Sequence, residues 1–238
     1  MGTVFEHMGR RERSATPPLF KEILLTLARS VAKKEPTMIT ALFVQTNGAY
    51  FGVEGIDPWD EARDARLYEG NDPVIAHPPC ARWCRLAGMV EKRWGYKKGE
   101  DGGCFKSALE SVRRCGGVLE HPAYSDAWKA FGLTRPDRKG GWSGPDEFGG
   151  YTCHVEQGQY GHRARKGTWL YVVGVSELPQ LKWGKSEARA VVSNLSWDNT
   201  KNKDYFRGKG ERLDRKEASA TPSAFKEVLL GLVRSVKK

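Results

Sequence analysis

Long apolar runs are missing from this 238-residue chain, and none approaches the roughly 20 residues that cross a bilayer. The opening stretch, MGTVFEHMGRRER, lacks the apolar segment of a secretory leader. Both absences point to a cytoplasmic protein with no membrane partner. A disulfide framework is also lacking, because five cysteines at uneven spacings read as reduced thiols. Zinc-ligand spacing is poor: His77, Cys80 and Cys84, with Cys153 or His154 as a fourth ligand, include no CxxC pair. No HxE precedes the cysteines either, unlike the zinc-dependent base deaminases, so no metal is expected. Acidic residues are in deficit, 29 against 39 Lys and Arg, a net charge of +10. A basic surface attracts polyanions, of which nucleic acid is the commonest; the same charge also serves solubility alone.

What is present begins with a repeat. Residues 14–33 (SATPPLFKEILLTLARSVAK) and 219–238 (SATPSAFKEVLLGLVRSVKK) share 14 of 20 positions. Each copy opens with Thr-Pro, a good cap followed by a residue suited to the first helical position. Apolar residues then recur at helical spacing: Phe20, Ile23, Leu24, Leu27 and Val31, and again Phe225, Val228, Leu229, Leu232 and Val236. The chain therefore carries nearly the same amphipathic helix twice. The spare copy has three readings: a swapped homodimer, a helix lying on DNA, or a duplication remnant.

Between the copies, strands and helices alternate. MITALFVQ (38–45) reads as a buried strand, PVIAH (73–77) as a second and CFKSALESVRRC (104–115) as a helix ended by Gly116-Gly117. A strand end at 118–120, a short helix at 125–131, a loop at 135–150 and strands at 151–156 and 168–175 follow. The pattern predicts an α/β fold with a largely parallel sheet and helices on both faces. Its parts are an N-terminal arm (1–37), an α/β core (38–178), a polar variable segment (179–217) and a C-terminal helix (218–238). In such sheets ligands sit beyond the carboxyl ends of the strands. There lie Gln45 to Gly48, His77 to Cys84, and Glu120 to Pro122.

Three segments carry chemistry. In HPPCARWC, Pro78 and Pro79 make a rigid turn that presents Cys80, a candidate nucleophile, with Arg82 nearby to favour thiolate. A buried structural cysteine is the plainer alternative. Glu120 ends an apolar strand, where a carboxylate is tuned for acid–base work or simply solvated. Arg163, Arg165 and Lys166 form a cationic cluster before a core strand, suited to phosphates and base carbonyls or to water.

In this order, LFVQTNG, GVEGID, HPPC, LEHP, YGHRARKGTWLYVVG and SATPSAFKEVLLGL resemble a compact, phage-type form of the cytosine-C5 DNA methyltransferase family, over most of residues 38 to 238. The resemblance implies a Rossmann-like methyltransferase sheet with a reduced target-recognition region, S-adenosylmethionine as cofactor and double-stranded DNA as partner. Cys80 would add to C6 of a flipped cytosine, a protonated Glu120 would contact N3, and Arg163 or Arg165 would reach the base or its flanking phosphate. Phe43, Gln45, Asn47, Gly48, Asp57 and Pro78 fall at the cofactor positions, with Asp60 an alternative to Asp57 for a ribose hydroxyl. Arg82, Trp83, His121, His162 and Lys166 fall on the nucleic-acid side. The family's Phe-x-Gly-x-Gly is replaced by Phe43-Val44-Gln45-Thr46-Asn47-Gly48. That departure keeps two other readings open: a cytosine-modifying enzyme with a different donor or a hydrolytic step, and a non-catalytic DNA-binding relative.

Overall fold

Seven short strands, mostly apolar, form one sheet in a computed structural model that describes residues 21–23, 38–84, 86–190, 211 and 213–237. The strands are β1 (Ile39–Leu42), β2 (Ile56–Trp59), β3 (Val74–Ala76), β4 (Gly117–Pro122), β5 (Trp142–Ser143), β6 (Tyr151–Glu156) and β7 (Gly167–Val173), in the order β2-β1-β3-β4-β7-β6-β5. The pairs β2–β1, β1–β3 and β3–β4 are parallel, and β4–β7, β7–β6 and β6–β5 antiparallel. The expected largely parallel sheet is therefore mixed, with a parallel core, and the α/β architecture is compatible with a Rossmann-like fold. Two successive reversals leave β6 running with β4, so β7 is the reversed strand between them. β3 and β4 approach so closely that a Cβ on Gly117 would lie 2.0 Å from the Val74 carbonyl oxygen.

The helices are α1 (Ala87–Trp94), α2 (Cys104–Cys115), α3 (Asp126–Ala130), α4 (Arg215–Ser219) and α5 (Ser223–Arg234). Strand side chains alternate between faces. Ile39, Ala41, Ile75, Val118, Leu170 and Val172 pack with Phe225, Leu229 and Leu232 of α5. Leu42, Val74, Ala76, Leu119, Trp169 and Tyr171 pack with Phe105, Leu109 and Val112 of α2 and Trp128 of α3. Helices thus cover both faces as expected.

The C-terminal copy of the repeat spends its apolar face on its own sheet as α5. Pro222, not Thr221, holds the cap position, and no side chain caps the helix. Residues 38–238 form one unit and 1–37 another. The N-terminal copy lies outside the described residues apart from Lys21–Ile23, which are helical, so the swapped-dimer reading rests on sequence alone. Of the segment expected to be variable, 179–190 pack on the core. Leu181 is buried, and the Ser186 amide donates to Glu156 over 2.8 Å.

Candidate active site

The carboxyl ends of β1, β3 and β4 open into a cleft with two adjoining chambers that share Phe43, Val44, Gln45 and His77. The smaller, about 340 Å³, is also lined by Gly48, Tyr50, Glu120, Lys166 and the α4–α5 junction at Ser219 to Thr221. The larger, about 720 Å³, is completed by Asp60, Glu61, Asp64, Arg66, Pro79 and Cys104.

Between β1 and this cleft the backbone is bent into unusual shapes. Phe43 and Asn47 adopt left-handed φ values of 57° and 56°. Such values are uncommon for a bulky residue like Phe43 and concentrate at functional sites. Gly48 donates its N–H to the Gln45 carbonyl over 2.8 Å, and a Cβ on it would lie 2.7 Å from that oxygen, so the turn needs glycine.

A hydrogen-bonded chain crosses the smaller chamber. His77 Nδ1 lies 2.9 Å from Glu120 Oε2, and His77 Nε2 lies 2.9 Å from the Tyr50 hydroxyl. Gln157 Nε2 donates to Glu120 Oε1 at 3.2 Å and to Thr168 Oγ1 at 3.0 Å. Burial opposes charge on Glu120, but the His77 hydrogen bond and the nearby Lys166 overcome it and hold the carboxyl below its ordinary range. A carboxylate only accepts, so Nδ1 of His77 carries a hydrogen. Burial also keeps Tyr50 a phenol, and with a neutral ring its O–H donates to Nε2. The expected protonated Glu120 is, in this state, an ionised carboxylate with a partner on each oxygen.

Cys80 is partly buried on the turn after β3, next to Pro79 of the larger chamber, and itself lines neither chamber. Burial, with Cys84 and Glu120 adding negative charge, pushes its thiol up, and Lys166 is the cation that pulls it back. The expected thiolate partner Arg82 lies instead over the Tyr96 ring at 4.3 Å. Lys166 has a left-handed φ of 43° and donates to the Ser219 and Ala220 carbonyls at 3.0 and 2.7 Å. It is bound to the end of α4 and feels the negative charge of Glu120 and of Cys80.

The other expected site residues divide sharply. Arg163 pairs with Glu211 and Glu217, the latter at 2.7 Å, and Arg165 lies 3.9 Å from Glu156. Both are exposed and line neither chamber. Asp57 is turned to Arg63 and Trp59, whereas Asp60 reaches the larger chamber and accepts from Thr46 Oγ1 at 2.6 Å. Asn47 is exposed and lines neither chamber, and Pro78 is buried while Pro79 lines the larger one. Three residues expected at the nucleic-acid surface are core residues instead. Trp83 packs on Phe105 and Phe131 and donates to Asp101 over 2.7 Å. His121 is fully buried against Phe105 and Trp128 without a hydrogen-bond partner for either nitrogen. His162 is buried, its Nδ1 accepting from the Ala164 amide at 3.0 Å.

Among the described residues no group of three or more His, Cys, Asp and Glu is arranged to hold a metal ion. No helix among them is long and apolar enough to cross a membrane. Comparison with protein-family models, with curated proteins and with solved structures gives no match.

Proposed function

We propose that the protein modifies cytosine in DNA by adding Cys80 to C6 of a base held outside its stack, with methyl transfer to C5. The observation that carries this reading is the placement of Glu120 and Lys166 in one chamber beyond the carboxyl ends of the strands, with Cys80 on the adjoining turn after β3. Cytosine C5 is a poor nucleophile. Thiol addition at C6 turns the ring into an enamine and makes C5 reactive.

With Cys80 pushed toward the thiol and Glu120 held toward the carboxylate, one proton serves the addition. Cys80 starts as a thiol and Glu120 as a carboxylate. As Sγ bonds to C6, the thiol proton passes to Glu120 and from there to N3, where the electron pair from the ring collects. Lys166 offsets the negative charge that develops. After C5 is methylated, the C5 proton is lost to solvent water as Cys80 departs and the double bond is restored, and the N3 proton returns through Glu120 to the departing thiolate. Arg163 and Arg165 take no part unless their ion pairs open.

The larger chamber fits S-adenosylmethionine chemically. Hydrogen bonds hold Asp60 and Asp64 below the ordinary carboxylate range, so they remain anionic. Asp64 is paired with Arg66 of the same lining, so Asp60 and Glu61 supply the negative charge that suits a cationic sulfonium and ammonium, and Asp60 or Gln45 suits ribose hydroxyls. Bound there, the cofactor supplies an electrophilic methyl group.

Nucleoside mass spectrometry on DNA from cells expressing the protein, with Cys80→Ala alongside, tests the proposal. A 5-methyldeoxycytidine peak that requires Cys80 supports it. A different Cys80-dependent mass replaces the donor, and modification that survives Cys80→Ala sinks the mechanism.

A further inference from the structure

Residues 82–84 and 86–99 leave the core as a closed lobe rooted beside Cys80. Its two ends meet where the Gly99 amide donates to the Arg82 carbonyl over 2.9 Å. Trp83 anchors the root: its indole donates to Asp101 at 2.7 Å and its carbonyl accepts from the Asp126 amide at 2.9 Å. Within the lobe, α1 ends at Gly95, whose φ of 71° turns the chain back. Every residue from Glu91 to Lys98 is exposed.

The lobe holds large apolar side chains in water. Trp94 and Tyr96 are each 55% exposed and Met89 45%. Arg93 lies over the Trp94 ring at 4.9 Å, and Arg82 over Tyr96 at 4.3 Å. Lys97 pairs with Glu100 and Lys98 with Asp126. Arg82, Lys92 and Arg93 have no ion-pair partner among the described residues. Large apolar side chains left in water close together along the chain mark interaction surfaces. Rings interleaved with unpaired cations match one partner in particular, an unpaired nucleic-acid strand, whose bases stack while its phosphates are neutralised. A duplex hides its base faces, so such rings find them only where bases are already unstacked.

We propose that this lobe binds single-stranded DNA, stacking bases on Trp94 and Tyr96 and holding phosphates with Arg82, Lys92 and Arg93, so that the target cytosine meets Cys80 already unpaired. The proposal rests on the reading of Cys80 and the adjoining cleft as a cytosine site and narrows its substrate.

The test is fluorescence anisotropy with a labelled, cytosine-containing oligodeoxynucleotide of about a dozen nucleotides, within the ~4–16 nucleotide span of such sites, single-stranded and as its duplex. Wild type is expected to bind the single strand at least about tenfold more tightly than the duplex. The double variant Trp94→Ala/Tyr96→Ala, checked by thermal melting, is expected to lose about tenfold or more on the single strand. Trp94→Phe/Tyr96→Phe should retain most of the affinity. Equal or tighter duplex binding, or a double variant that binds like wild type, overturns the proposal. Single-strand binding with no Cys80-dependent change in nucleoside mass leaves the lobe assignment standing and removes the cytosine reading instead.

Discussion

His77 and Glu120 meet one residue beyond the last matched pair of two parallel strands, Ala76 and Leu119, and are joined by a 2.9 Å hydrogen bond. The strand register alone brings imidazole and carboxylate together, and the proton balance of the cleft follows from that contact.

Glu120 is held low, so its contribution to stability is complete above the ordinary glutamate value of about 4.3 and is lost as pH falls through its lower native value. His77→Phe removes the donor and leaves a largely buried carboxylate short of a partner, at a cost of about 1–3 kcal/mol. Thermal melts across acidic to neutral pH should show the variant less stable at neutrality, with its acid unfolding displaced to higher pH.

His121 gives a second pH signature. Burial lowers its pKa to about 4, so the native ring refuses a proton that the unfolded chain takes up near pH 6.5. The unfolded state binds more protons in that window, and stability should fall as pH drops from about 6.5 to 4, by up to about 3 kcal/mol. His121→Phe removes that slope and two unpartnered buried nitrogens, so equilibrium denaturation should find it at least as stable as wild type at pH 6 and below.

Lys166 is the cation that moderates Cys80. Lys166→Met should raise the thiol further and slow its alkylation by iodoacetamide several-fold at neutral pH, measured by peptide mapping in a Cys84→Ser background. Alkylation as fast as in the parent would remove Lys166 from the account of Cys80.

Asp60 faces the larger chamber and Asp57 does not. Calorimetric titration with S-adenosylmethionine should show Asp60→Asn weakened about tenfold, the scale of one charge-assisted contact. Asp57→Asn should be unchanged. Equal losses in both would mean the chamber is not the cofactor site.

The parts legible in the sequence are those where one signal dominates. α2 spans Cys104–Cys115 as read, because its apolar period and the following glycines agree. β2 was invisible in IDPW, since Pro58 and two flanking aspartates read as loop; an edge strand tolerates proline because one side of its backbone needs no partner. α1 hid because its outer face is exposed throughout its second half. The positions of Cys80, on the turn after β3, and of Glu120, late in β4, were legible from the strand pattern. Glu120 was expected at the base and its neighbour His121 on the nucleic-acid side, although strand alternation sends neighbours to opposite faces, and the buried His121 follows that rule. Tyr50 and Gln157 carry no local signal, because only sheet topology brings them to His77 and Glu120.

The cleft is stitched from distant stretches of chain: Lys166 reaches the Ser219 and Ala220 carbonyls, and Lys226 reaches the Ala49 carbonyl across 177 residues. Contacts of such sequence separation form late and slowly, because loop closure precedes their reward. A partly folded chain therefore holds Cys80 without its neighbours. Reactivity at that thiol becomes a clock for the final stage of folding, readable by pulse alkylation during refolding.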